Sequence, residues 1–227
     1  MLALTASDTR LRPFEAMRAV RTLIATGDTR QVFVIFRAMR GRSGQRAFQR
    51  FTESTVGQAV LKDRRELLST LTDRERLRQL PPGSLGRAYL DFVESENLSA
   101  QGLVEASQDW DNDPMPPDVE LFRRRMREMH DLSHTVTGYG RDQLGELCLL
   151  TFMYRQQGNL GMLLIVIMAW NKVPKAARKA IREAWRNGRK ARWLAEQDWE
   201  AMLARSLETI RRELAIQPPL AYQGFTS

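Results

Sequence analysis

His130 and His134 are the only histidines in the chain, and they stand at positions i and i+4. On a helix such positions share a face, with Cβ atoms about 5–6 Å apart, so both imidazoles can aim at one point. Helices present histidine pairs to zinc at this spacing. Asp131 is the next residue, roughly 100° around the helix, and can either ligate an ion or hold a ring N–H. Downstream, Gly138-Tyr139-Gly140 breaks the helical pattern. A chain that folds back there brings His134, five residues before Tyr139, to nearly the same height as Glu146, seven residues after it. Two histidines and a carboxylate then make a three-ligand site with one position open, as in catalytic metal sites.

The competing reading is a pair of half-buried helix histidines with no metal. Two common metal chemistries do not fit. An H-E-x-x-H peptidase needs Glu where Asp131 stands. A carboxylate di-iron bundle needs E-x-x-H, but Arg127 and Asp131 occupy the positions three before each histidine. Gly138-x-Gly140 reads as a turn and not a nucleotide loop. Cys148 is the single cysteine. It lies in an apolar stretch, reads as core, and fits a reducing compartment. Trp185, Trp193 and Trp199 read first as core and second as interfacial anchors beside basic residues.

The elements that must carry these residues are helical almost throughout. The expected fold class is all-α: a single-domain helical bundle over residues 1–227, with the metal site between two antiparallel helices. Helices are predicted around Phe14–Ile24 and Val32–Met39, the second capped by Asp28 or Thr29. A less regular pattern covers Phe48–Leu61. Asp73, Ser84 and Ser99 can cap further short helices, the last running to Gln108. Asp109–Pro117 must be a loop. One long helix is expected over Asp118–Val136 and another over Asp142–Gln157, followed by Leu160–Trp170, Pro174–Asn187 stopped by Gly188, and Asp198–Leu214. Pro218-Pro219 should close the ordered part. Val32–Phe36 is the one window that also suits a strand.

The net charge is +8. Between Lys172 and Arg192 nine basic residues stand against Glu183 alone, an excess equal to that of the whole chain. Such a run is a solvated face or meets an anionic membrane surface. No recognised motif supports nucleic acid. The longest apolar run, Leu160–Trp170, has 11 residues, about half of the ~20 that span a bilayer. Met1–Arg12 lacks a secretory signal pattern, and cytoplasmic location in a bacterium is the expectation.

His130-Asp131-x-x-His134, eleven intervening residues and Glu146 resemble the signature of the coenzyme Q biosynthesis protein 4 family. The flanks agree: Met129, Thr137–Asp142, Gly145, Leu80–Tyr89, Gly188–Ala191 and Trp199-Glu200, with Pro82 a departure where an acidic residue is expected. The resemblance runs from Gly57 to Pro218, and the first 55 or so residues match less well. It implies an all-helical, often dimeric protein. Such a protein sits peripherally on the membrane where ubiquinone is made, here the cytoplasmic face of a bacterial inner membrane, among other ubiquinone-biosynthesis proteins. It implies zinc held by His130, Asp131, His134 and Glu146; iron or manganese suit the same donors. The implied reaction is loss of the C1 carboxyl from a polyprenylated 4-hydroxybenzoate, in a simple or an oxidative version, with Glu146 or Asp131 moving the proton. The Leu149–Met153 and Leu160–Met168 segments would line a tunnel for the prenyl tail. The alternative is a non-catalytic prenyl-lipid-binding scaffold for the other enzymes.

Overall fold

The computed structural model describes residues 9–96 and 115–223. Among them are fourteen α-helices and no strand, which bears out the all-α expectation. The first α-helices of the described residues are α1 (Pro13–Thr26) and α2 (Arg30–Ala38). Gly27 ends α1 at φ 69°, a left-handed position that favours glycine. Of the two capping candidates Asp28 acts: its carboxylate accepts from the Arg30 N–H at 3.1 Å. The ambiguous window Val32–Phe36 is helical.

The irregular pattern over Phe48–Leu61 resolves into two helices, α3 (Ser43–Glu53) and α4 (Thr55–Asp63). Ser54 divides them and caps the second through the Gly57 N–H at 2.9 Å. Then come α5 (Leu67–Thr72), α6 (Arg74–Gln79) and α7 (Leu85–Ser95). Asp73 and Ser84 cap α6 and α7 as expected. The predicted Ser99–Gln108 helix and most of the Asp109–Pro117 loop lie outside the described residues; Pro117 itself opens a helix.

The long helix expected over Asp118–Val136 is two: α8 (Pro117–Glu128) and α9 (His130–Thr137), with Met129 between them at ψ 2°. Next are α10 (Gln143–Gln157) and α11 (Leu160–Trp170), each capped by the residue before it. The basic helix α12 runs Arg178–Lys190. Pro174 lies ahead of it, before a turn at 175–177, and Gly188 sits inside it, buried. The reason is packing: a Cβ on Gly188 would lie 2.6 Å from the Phe152 carbonyl oxygen of α10. The last predicted helix is also split, into α13 (Trp199–Met202) and α14 (Leu207–Glu213). There the carbonyls of Leu203 and Arg205 accept from the Gly86 and Leu85 N–H groups at the start of α7, at 2.8 and 2.9 Å. That non-local pairing takes the backbone between α13 and α14 out of helical register.

The main core is built from α5–α7 and α9–α14, with Trp199, Phe152, Tyr89 and Tyr139 among its large side chains. Leu149, Phe152 and Met153 belong to it. A second cluster joins Phe51 and Val60 to Leu121, Phe122 and Trp193. A third ties Ala19, Val20 and Ile35 of the first hairpin to Leu164 and Ile165 of α11. Helices α1–α3 are thus docked on the domain. No helix among the described residues is long and apolar enough to cross a membrane.

Candidate metal centre

The α9–α10 hairpin positions the site. Gly138 ends α9 at φ 80°, and its N–H donates to the His134 carbonyl at 2.8 Å. Asp142 starts α10 by accepting from the Leu144 and Gly145 N–H groups at 3.0 and 3.2 Å. Glu146 lies one turn further and faces back across the hairpin.

His134 is wholly buried, while His130 and Glu146 are half-buried. His134 Nδ1 lies 2.8 Å from the Tyr139 carbonyl oxygen. A carbonyl only accepts, so Nδ1 carries the hydrogen and Nε2 of the neutral ring keeps its lone pair. That Nε2 is buried without a hydrogen-bond partner, and it sits 3.6 Å from Glu146 Oε1. His130 Nε2 sits 4.0 Å from Glu146 Oε2. One ligand atom from each of the three residues lies within 4.8 Å of the others.

Asp131 is buried but stands outside this triad. Its Oδ1 lies 3.1 Å from His130 Nδ1, where it fixes the ring so that Nε2 faces Glu146. That contact is the one the holding role requires. Burial works to raise the Asp131 carboxyl, but the hydrogen bond with His130 and the charges of His130, His134 and Arg141 outweigh it and hold the group below the ordinary carboxylate value. Glu146 is lowered in the same way, burial being outweighed by His134, His130 and Arg141. Arg141 Nε lies 3.6 Å from Glu146 Oε1.

Sequence reasoning missed the contribution of α7. Phe92 stacks on His134 with ring centroids 5.5 Å apart and planes 19° from parallel. Tyr89, one turn earlier, is buried, and burial together with the Asp131 charge pushes its phenol up. The available signal was the Ser84 cap, which puts Tyr89 and Phe92 on one helix face. Cys148 is buried and its thiol is pushed up to about 12, chiefly by burial.

The donors suit a divalent ion. Two imidazoles and a carboxylate converge, one nitrogen is buried with a free lone pair, and a neighbouring carboxylate orients the second ring. The fold and site therefore define an all-helical protein with a candidate metal centre in a helical hairpin. A family model described as coenzyme Q (ubiquinone) biosynthesis protein Coq4 matches residues 14–220. The chain belongs to that family, which acts in ubiquinone biosynthesis. The match reaches back to α1, further than the Gly57 start expected from the motifs.

The mitochondrial ubiquinone biosynthesis protein coq4 of Botryotinia fuckeliana is 30% identical over 171 residues, 74% of this chain and 59% of that protein. The mitochondrial protein of the same name from Scheffersomyces stipitis is 24% identical over 202 residues, 87% of this chain and again 59% of its relative. This chain thus spans about three-fifths of these relatives' length. A crystal structure from Nostoc punctiforme, provisionally described as a ubiquinone biosynthesis protein, shares the fold: TM-score 0.66 at 20% identity, covering 92% of this chain and 100% of that one. The expected location on the cytoplasmic face of a bacterial inner membrane is overturned, because the curated relatives are named as mitochondrial proteins of fungi. Composition and a single cysteine do not distinguish compartments that are alike in redox state, which is why the sequence misled here.

Proposed function

We propose that the chain is a zinc-dependent carboxy-lyase that removes the C1 carboxyl from a polyprenylated 4-hydroxybenzoate-type precursor of ubiquinone. The observation that carries this is the buried, unpartnered Nε2 of His134 facing Glu146. A neutral polar atom held dry without a partner costs about 1–3 kcal/mol, and a cation removes that cost. The residues that would hold the ion are His130, His134 and Glu146. When bound, it supplies positive charge against the carboxylate and phenol oxygens of the substrate.

The chain's own groups supply the rest. Arg141 adds a second positive charge at the mouth of the site, suited to a substrate carboxylate. In the reaction the ring–carboxyl bond breaks, its electron pair stays on C1, CO2 leaves and a proton arrives at C1. Asp131 and Glu146, held below the ordinary carboxylate range, are ionised at neutral pH and would relay that proton, not store it.

A lipid surface fits the remaining features. Leu160, Ile167 and Met168 of α11 are exposed. At the end of α11, Arg178 and Arg182 of α12 lie over the Trp170 ring, 5.1 and 5.7 Å from its centroid. An apolar face beside a basic helix suits anionic headgroups and a prenylated substrate. The same face supports the second reading, a prenyl-lipid-binding scaffold for other ubiquinone-biosynthesis proteins.

The test is purified protein with a prenylated hydroxybenzoate, with and without chelator, scored for CO2 and ring product. The expected outcome is metal-dependent CO2 release, lost in His134→Ala. Hydrogen at C1 of the product marks simple decarboxylation and hydroxyl the oxidative version. A folded His134→Ala or Glu146→Ala protein with full decarboxylation sinks the catalytic reading, and lipid binding with no turnover leaves the scaffold.

A further inference from the structure

The chain from Gln217 to Tyr222 crosses the metal hairpin. The Asn187 side chain donates to the Gln217 carbonyl at 3.0 Å. Both oxygens of Glu183 accept from the chain, from the Leu220 N–H at 2.9 Å and the Ala221 N–H at 2.8 Å. The segment is thereby anchored on α12. Its far end reaches the turn between the two ligand-bearing helices. Tyr222 OH donates to Asp142 Oδ2 and accepts from the Gly140 N–H at 3.0 Å. The Tyr222 ring meets the Tyr139 ring edge-on, with centroids 5.6 Å apart.

The turn leaves room for that hydroxyl at Gly140. A Cβ on Gly140 would lie 2.7 Å from it; one on Gly145 would meet the Gly140 carbonyl oxygen first, at 2.1 Å, and the hydroxyl at 2.8 Å. Neither glycine has positive φ, so the absence of a side chain there answers to close approach and not to backbone conformation. Pro219 closes over Gly138, where a Cβ would stand 3.1 Å from its Cδ. Arg211 of α14 completes the clamp by donating to the carbonyls of Val136 and Thr135 at 2.8 and 3.0 Å.

Two of these contacts act on groups that aim a ligand. Asp142 bonds Tyr222 through one oxygen and caps α10 through the other, and so fixes the phase of Glu146 one turn later. Tyr139 offers the carbonyl that orients His134. We infer that the segment Gln217–Tyr222 is a strap that sets the geometry of the metal hairpin, with Tyr222 as its positioning residue. This rests on the metal reading above for its function. Tyr222 itself lies two residues past the matched range 14–220.

The test compares wild type with Tyr222→Phe, which keeps the ring and loses the hydroxyl, and with Glu183→Ala, which frees the anchor. Zinc affinity is read by competition with a chromophoric chelator, and ligand geometry by the visible spectrum of the cobalt(II)-loaded protein. Removing an outer partner of a metal site costs roughly 10–100-fold in affinity. Both variants are expected to bind zinc about 10-fold more weakly and to show a shifted cobalt spectrum, with helical circular dichroism unchanged. A third readout needs no metal: exchange of the His134 Nδ1–H in metal-free protein, expected to be faster in both variants. If wild type takes up no zinc, that exchange still decides whether the strap holds the ring. Wild-type affinity, cobalt spectrum and exchange in both folded variants would overturn the inference.

Discussion

Two charged clusters are buried along neighbouring helices, and they are finished differently. At the end of α8, Arg125 is 2% exposed and meets Glu200 through two hydrogen bonds of 2.7 Å. Each charge there has its opposite, in the bidentate geometry that arginine and carboxylate share. Further on, in α9, His134 is as deeply buried, but its Nε2 has no hydrogen-bond partner and lies 3.6 Å from Glu146 Oε1. The first cluster is electrically closed by the protein itself. The second leaves a buried nitrogen without a hydrogen-bond partner. Burial alone does not separate a structural from a functional cluster; whether the protein's own groups complete it does.

The comparison makes graded predictions. Glu200→Ala leaves Arg125 buried and unpaired, and should cost about 3–5 kcal/mol of folding stability in denaturant titrations. A loss under about 1 kcal/mol, the level of an exposed pair, would show that water reaches the arginine. His134→Ala should reverse the pattern: zinc affinity falls by more than the ~100-fold that removal of an outer partner can cost, while the apo protein stays folded. Asp131→Asn keeps a hydrogen-bond acceptor for His130 but loses the charge, and should weaken zinc by roughly 10-fold. If it abolishes binding outright, Asp131 is a ligand and the holding role is incomplete.

Acid should act on both clusters, most gently. Asp131, Glu146 and Glu200 all have folded values below their ordinary ones; at Glu200 burial is outweighed by Arg125. Their stabilisation is present above the unfolded carboxylate range near ~4 and is lost as pH falls through the lower folded values. Apo-protein stability measured from pH 6 down to pH 2 should therefore fall mainly in the lower part of that range. Zinc uptake should weaken on acidification as well, since imidazoles bind metal as neutral rings and carboxylates as ions.

What could be read in the sequence was local. The histidine pair needs only a helix, and Glu146 needs only a helix, a turn and a count of residues. The caps at Ser84, Asp73 and Asp142 are likewise three-residue patterns. What could not be read was set by partners far along the chain. Gly188 was expected to stop its helix, but the Phe152 carbonyl requires a glycine in its interior. The helix expected over Asp198–Leu214 is divided because α7 takes its carbonyls. Tyr222 stands 82 residues from Gly140, and no periodicity or motif connects them.

Glu183 has a consequence for how the molecule looks from outside. It is the one acidic residue among nine basic ones between Lys172 and Arg192, and both of its oxygens are spent on backbone N–H groups. The one negative charge of the helix is half-buried and turned toward residues 220 and 221. A counter-ion approaching α12 meets a strongly net-positive surface, its field reaching about 8 Å into physiological salt.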